Sequence, residues 1–106
     1  MSLLPSAVGF LRSDVSGLNQ VRDELRIRAA ARRTGYDLRK TVVFNERTED
    51  RSHRLRVAVD RLGVDAVIVP SVAHFDDHAI PAELLEMAAV VTVSPGSTTP
   101  RVRPAR

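Results

Sequence analysis

Cysteine is absent. Disulfides and thiolate-held metal sites are therefore excluded, and a reducing compartment, the cytoplasm, is the expected location. Tryptophan is absent too, and one tyrosine and three phenylalanines leave aromatics at 4% of the chain. So few rings do not suggest a stacking platform for single-stranded nucleic acid. No apolar run approaches the roughly 20 residues of a membrane-spanning helix. Met1–Pro5 has neither a basic region nor a long apolar run, so neither a membrane span nor a signal peptide is expected. Lysine is nearly missing: of 16 basic residues one, Lys40, is lysine. Such a skew toward arginine marks GC-rich coding more often than function. No glycine-rich fingerprint occurs, which removes support for a dinucleotide or nucleoside-triphosphate site, and no cofactor is expected.

What remains is a chain of 106 residues, enough for one small domain with a modest core. Its net charge of +3 permits nucleic-acid binding without requiring it. Four apolar runs alternate with helical patterns. Ala7–Leu11 predicts a first strand. A helix is predicted over Gly17–Thr34, with Ser16 as N-cap, Gly35 as stop, and Leu18, Val21, Leu25 and Ala29 as its buried face. Thr41–Phe44 predicts a second strand. The polar loop Asn45–Asp50 leads to a second helix, Arg51–Leu62, which is closed by Gly63 and buries Leu55, Val59 and Leu62. Ala66–Val69 is a continuous apolar run of the kind found in central parallel strands, and Pro70 ends it. A short helix near Pro81 carries Leu84, Leu85 and Met87, and Val90–Val93 predicts a last strand. The alternation implies an α/β fold: a small open parallel sheet of about four strands, order 2-1-3-4, flavodoxin-like, with helices on both faces. The domain is expected to span residues 1–93, with residues 94–106 a disordered tail containing proline and arginine.

In such a sheet chemistry gathers at the carboxyl ends of the strands. The first strand ends in Arg12, followed by Ser13 and Asp14. A guanidinium there suits a phosphate or other anion; pairing with Asp14 or Asp77 fits equally well. The other strand ends bring Asn45 and Glu46, the segment Ser71–His78, and Ser94 to the same edge. In the loop after the third strand, His74, Asp76, Asp77 and His78 are capable of holding a metal, and the histidines would share a face if the segment were helical. A polar loop with solvent-facing side chains is the better reading, and no metal is expected. Arg51 reads as a solvated residue at a helix start. Arg22, Arg26, Arg28, Arg32 and Arg33 read as a solvated helix face with local pairs to Asp23 and Glu24.

Phe10-Leu11-Arg12, a polar turn, and Leu18-Asn19-Gln20-Val21-Arg22 together resemble the start of a serine recombinase (resolvase/invertase) catalytic domain. That family opens with an aromatic-x-Arg-Val-Ser strand end and a helix bearing a Gln-Val-Arg-x-Leu run. Asp50-Arg51 is similar to the family's loop before its second helix, and Val64–Val69 to its third strand. The 23 residues from Arg51 to His74 match its arginine-to-arginine spacing. The resemblance covers residues 6–93 and implies a resolvase-like fold.

The resemblance also has departures. The nucleophilic serine falls on Asp14, with Ser13 and Ser16 out of register. The family's Leu-Asp-Arg-Leu-x-Arg motif falls on Val72–Asp77, so that its carboxylate becomes Ala73 and its arginines become His74 and Asp77. Arg12 and Arg51 alone remain of the catalytic arginines. The resemblance extends to neither the family's long dimerisation helix nor its helix-turn-helix domain. It therefore implies a degenerate, stand-alone domain without catalysis. Such a domain would act as a binding or regulatory module through a protein partner or homo-oligomer, with weak non-specific nucleic-acid binding and no membrane association. The alternative is a small anion- or metal-binding protein or enzyme that uses the cleft around Arg12, with Asp14, His74, Asp77 or His78 as acid/base groups or ligands.

Overall fold

A computed structural model describes residues 3–102. The chain forms an α/β domain around one five-stranded sheet of order β2-β1-β3-β4-β5. The strands are β1 (Ser6–Arg12), β2 (Asp37–Phe44), β3 (Ala66–Val69), β4 (Ala89–Thr92) and β5 (Ser97–Thr99). The first four are parallel, in the expected order; β5 returns antiparallel on β4. The expected four-stranded sheet therefore gains an edge strand, within the stretch whose Pro, Ser and Thr content suggests a tail. Thr92 holds that return, its hydroxyl donating to the carbonyl of Pro95 at 2.7 Å. Residues 103–106 of the expected tail lie outside the described residues.

Alternation along the central strands separates two apolar layers. Val8, Phe10, Val67, Val69 and Val90 face α3 (Arg51–Leu62) and α4 (Ala82–Leu85), where Leu55, Val59 and Leu84 complete the layer. Ala7, Leu11, Ala66, Ile68 and Val91 face the other way, onto Ile27, Ala30 and Ala31 of α2 (Gln20–Thr34). Every residue of β3 is buried, as a strand covered on both faces requires. The helix Arg51–Leu62 and its αL stop at Gly63 stand where the sequence places them. β2 begins four residues earlier than expected, because as an edge strand it tolerates the exposed Arg39 and Lys40 that break its apolar pattern.

The segment after β1 departs most from expectation. A short helix, α1 (Ser13–Ser16), comes first, then a 3₁₀ turn (Gly17–Asn19) entered through Gly17 at φ 53°. Ser16 stands just before the turn at Gly17 but caps no backbone N–H: its hydroxyl donates to Asp23 Oδ2 at 2.7 Å in a buried hydrogen bond. That bond ties α1 to the first turn of α2 and fixes the helix rotation. The buried face of α2 is Asp23, Ile27, Ala30 and Ala31. Leu18, Val21 and Leu25, expected in the core, are 106%, 70% and 57% exposed, and Ala29 is exposed as well. Ile27 packs above Gly9: a Cβ on that glycine would lie 2.8 Å from Ile27 Cγ2 and 2.7 Å from Thr41 Oγ1. The missing side chain on the strand thus admits a branched one from the helix. No helix among the described residues is long and apolar enough to cross a membrane.

Candidate functional site

The carboxyl ends of β1, β2 and β3 meet over an aromatic floor. All three phenylalanines gather there: Phe10 stacks on Phe75 at 5.7 Å and meets Phe44 edge-on at 5.4 Å. Above them lies a cluster of two arginines and two aspartates. Arg12, at the end of β1, grips Asp14 at two points, Nη2 to Oδ2 at 2.6 Å and Nε to Oδ1 at 3.2 Å. Arg51, at the start of α3, donates to Asp76 Oδ1 from Nη2 at 2.9 Å and from Nε at 3.2 Å, and to the carbonyl of Thr48 from Nη1 at 3.1 Å. Arg12 Nη1 reaches the same Asp76 oxygen at 3.5 Å. The arginine side chains are largely covered, 15% and 23% exposed, and Asp76 is 46% exposed. Two positive and two negative charges cancel within one cluster.

His74 supports this arrangement from below. β1 pairs with β3 only as far as Gly9, whereas its pairing with β2 continues to Arg12. The Arg12 N–H therefore has no strand partner on that side, and it donates to His74 Nδ1 at 2.9 Å. His74 is 3% exposed. Burial pushes its pKa below the ordinary histidine value; Arg12 adds to that shift, and Asp23 and Asp14 oppose it. The side-chain hydrogen bond from Arg12 holds the Asp14 carboxyl below its usual value against the opposing effect of burial, with the Arg12 charge adding to the lowering.

The site residues read from the sequence divide accordingly. Arg12, Asp14, Arg51 and Asp76 come together with His74 beneath. Arg51 is a member of the cluster, where a solvated residue is expected, because the turn after β3 brings Asp76 across to it. The second carboxylate on Arg12 is Asp76, where Asp77 is the candidate: Asp77 sits at φ 58° in the 3₁₀ turn Asp76–His78, and both it and His78 are exposed. His74 is likewise buried where a solvent-facing loop residue is expected. His74 and His78 share no helix face, since the extended Phe75 separates the two 3₁₀ turns that carry them and Asp77 kinks the second. Among the described residues no three histidine, cysteine or acidic side chains form a metal-holding group. Ser13 opens α1 and its carbonyl accepts from the Gly17 N–H. Ser71 Oγ accepts from the Ala73 N–H, and Asn45 Oδ1 from the Arg47 N–H; both shape loops. Ser94 is exposed. An open cleft of about 690 Å³ runs beside Arg51, and its rim carries Glu46, Glu49, Asp50 and Asp76 against Arg47 and Arg51. Acid outnumbers base there, which suits no anion.

The chain matches no family model, no curated protein and no solved structure.

Proposed function

We propose that this chain is a catalytically inactive domain of the serine recombinase type that acts as a binding or regulatory module. The observation that carries the reading is the closed pairing of Arg12 and Arg51 with Asp14 and Asp76. Transfer of a phosphodiester to a serine needs a hydroxyl nucleophile and several cations free to hold the phosphate oxygens. At the position where the resemblance puts the nucleophile, Asp14 offers a carboxylate, and that carboxylate is occupied with Arg12. Asp76 neutralises Arg51. A phosphate approaching this cluster meets no net positive charge.

Supercoiled plasmid incubated with the wild type or with Asp14→Ser, then quenched with denaturant, tests the reading. Neither protein should nick DNA or form a covalent adduct. Asp14→Ser alone restores no activity because His74 and Asp77 still stand where the family has arginines, and losing one such donor already costs about a hundredfold in rate. Nicked DNA carrying attached protein from either sample would overturn the proposal.

One observation favours the alternative, an anion-binding cleft. Two guanidiniums converge on a single oxygen, Oδ1 of the half-exposed Asp76, and an oxyanion would fit there once Asp76 turned away. Asp14 and the acidic rim of the neighbouring cleft oppose it, so the binding-module reading stands first.

A further inference from the structure

We propose that the outward face of α2 and the turn before it is a docking surface for an acidic amphipathic helix of a partner protein. This names a surface and a partner chemistry for the binding module and rests on that reading. Leu18, Val21 and Leu25 are spaced three and four residues apart and are 106%, 70% and 57% exposed. Scattered exposed apolar residues are ordinary, but Val21 and Leu25 on one face of α2, with Leu18 on the turn that leads into it, form a patch. The inward face of the helix fixes this placement. The opposite face of α2 already packs Ile27, Ala30 and Ala31 on the sheet, and the Ser16–Asp23 bond pins its phase.

The shape of the face suits a helix. Val21, Leu25 and Ala29 lie in one i+4 row, the ridge that packs into the groove of a crossing helix. Ala29, small and exposed at the end of the row, lets the partner backbone come close. The charge selects the partner. Arg22, Arg26 and Arg33 flank the stripe on one side and Arg28 and Arg32 on the other, all exposed. Asp23 is turned into the core, where it reaches only Arg26 of the five, at 4.0 Å, leaving Glu24 as the acid on the open flanks. A second copy of the chain docked here would press arginine rows against arginine rows, which disfavours it. A helix with an aliphatic stripe bordered by Asp and Glu would bury the leucines and pair the guanidiniums at once.

The test is selection from a phage-displayed library of helices of about 20 residues, with a fixed leucine stripe and randomised flanks, against the full chain. Enriched peptides should carry Asp or Glu at the flanks. Leu25→Ser should weaken them at least about tenfold, as should the double variant Arg22→Glu/Arg28→Glu. All three side chains are exposed, so unchanged circular dichroism and melting should accompany both variants. No enrichment, neutral or basic flanks, or binding unaffected by Leu25→Ser would overturn the proposal. So would self-association in sedimentation, or pelleting with phosphatidylserine-containing vesicles, that Leu25→Ser abolishes; these outcomes assign the face to a second copy or to lipid. Failed selection with plasmid left intact removes this docking face alone. Plasmid nicking by the same preparation removes the inactive-domain reading.

Discussion

At the scale of single residues, His74 and Asp76 decide how the strand-end cluster behaves. The imidazole of His74 accepts a hydrogen bond at Nδ1, so a proton there both breaks the bond and buries a charge beside Arg12. Its folded pKa is depressed. Between that value and the ordinary 6.5 the unfolded chain binds more protons, so stability is full above about pH 6.5 and falls as pH drops through the folded value. Asp14, also depressed, contributes stability that is lost only lower, as pH falls from the carboxylate value of 3.8 through its folded pKa. Melting temperature measured against pH should therefore decline in two separate windows. His74→Asn, whose Oδ1 can stand in for Nδ1, should flatten the upper window; an unchanged slope would show that another group titrates there. His74→Leu should cost about 1–3 kcal/mol by leaving the Arg12 N–H without its acceptor. Asp76 is half exposed, so Asp76→Ala should cost no more than about 1 kcal/mol. It should also free the Arg51 guanidinium and the Nη1 of Arg12, whose Nη2 stays paired with Asp14, so that inorganic phosphate raises the melting temperature of the variant but not of the wild type. Equal stabilisation of both proteins would mean that the cluster binds anions as it stands, which favours the alternative reading of the site.

At the scale of elements, the contact of α2 with the sheet turns on the absence of one side chain. Gly9→Ala would place a Cβ within 2.8 Å of Ile27 and 2.7 Å of Thr41. Neither is the loose end of a long chain, so the helix or the edge strand must shift, at a cost of about 1–3 kcal/mol. Denaturant unfolding of Gly9→Ala, and of the double variant Gly9→Ala/Ile27→Ala, measures it. The double variant should recover part of the loss, and simple additivity of the two losses would show that the clash is not at Ile27. The same contact explains what could and could not be read from the residues. Runs such as Ala66–Val69 and the stripe Leu55–Val59 have one apolar solution, and α3, β3 and the strand order follow from them. α2 has two: Leu18, Val21 and Leu25 repeat with helical spacing, and so do Ile27, Ala30 and Ala31. Larger side chains favour the first stripe, yet a gap over Gly9 and the hydroxyl–carboxylate bond between Ser16 and Asp23 select the second. Both are contacts across the chain that local periodicity does not contain. Arg12 and Asp14 are two residues apart and their pairing is visible in sequence. The arrival of Asp76 on Arg51, 25 residues away, depends on the turn conformation after Pro70.

At the scale of the whole molecule, the placement of charge matters more than its sum of +3. The arginines at the strand ends are neutralised by carboxylates, whereas five on the outward flanks of α2 are exposed, of which Arg26 lies 4.0 Å from Asp23. Any contact with DNA should therefore run through α2 and touch phosphates. Its helix is anchored flat on the sheet by Ile27, Ala30 and Ala31, and its outward apolar stripe offers no polar groups to base edges. Binding should be weak, in the range of about 10⁻⁴ to 10⁻⁶ M near physiological salt, and indifferent to sequence. With at most about five phosphate contacts, the logarithm of affinity should fall against the logarithm of salt with a slope no steeper than roughly −4.5, and Arg28→Glu/Arg32→Glu should reduce that slope by about two. Fluorescence anisotropy with two duplexes of unrelated sequence, titrated across salt concentrations, measures all three quantities. Equal affinity for both duplexes and a shallower slope in the double variant are expected. Nanomolar binding to one duplex over the other at physiological salt would require a reading element that α2 does not supply, and would make sequence recognition a property of this domain.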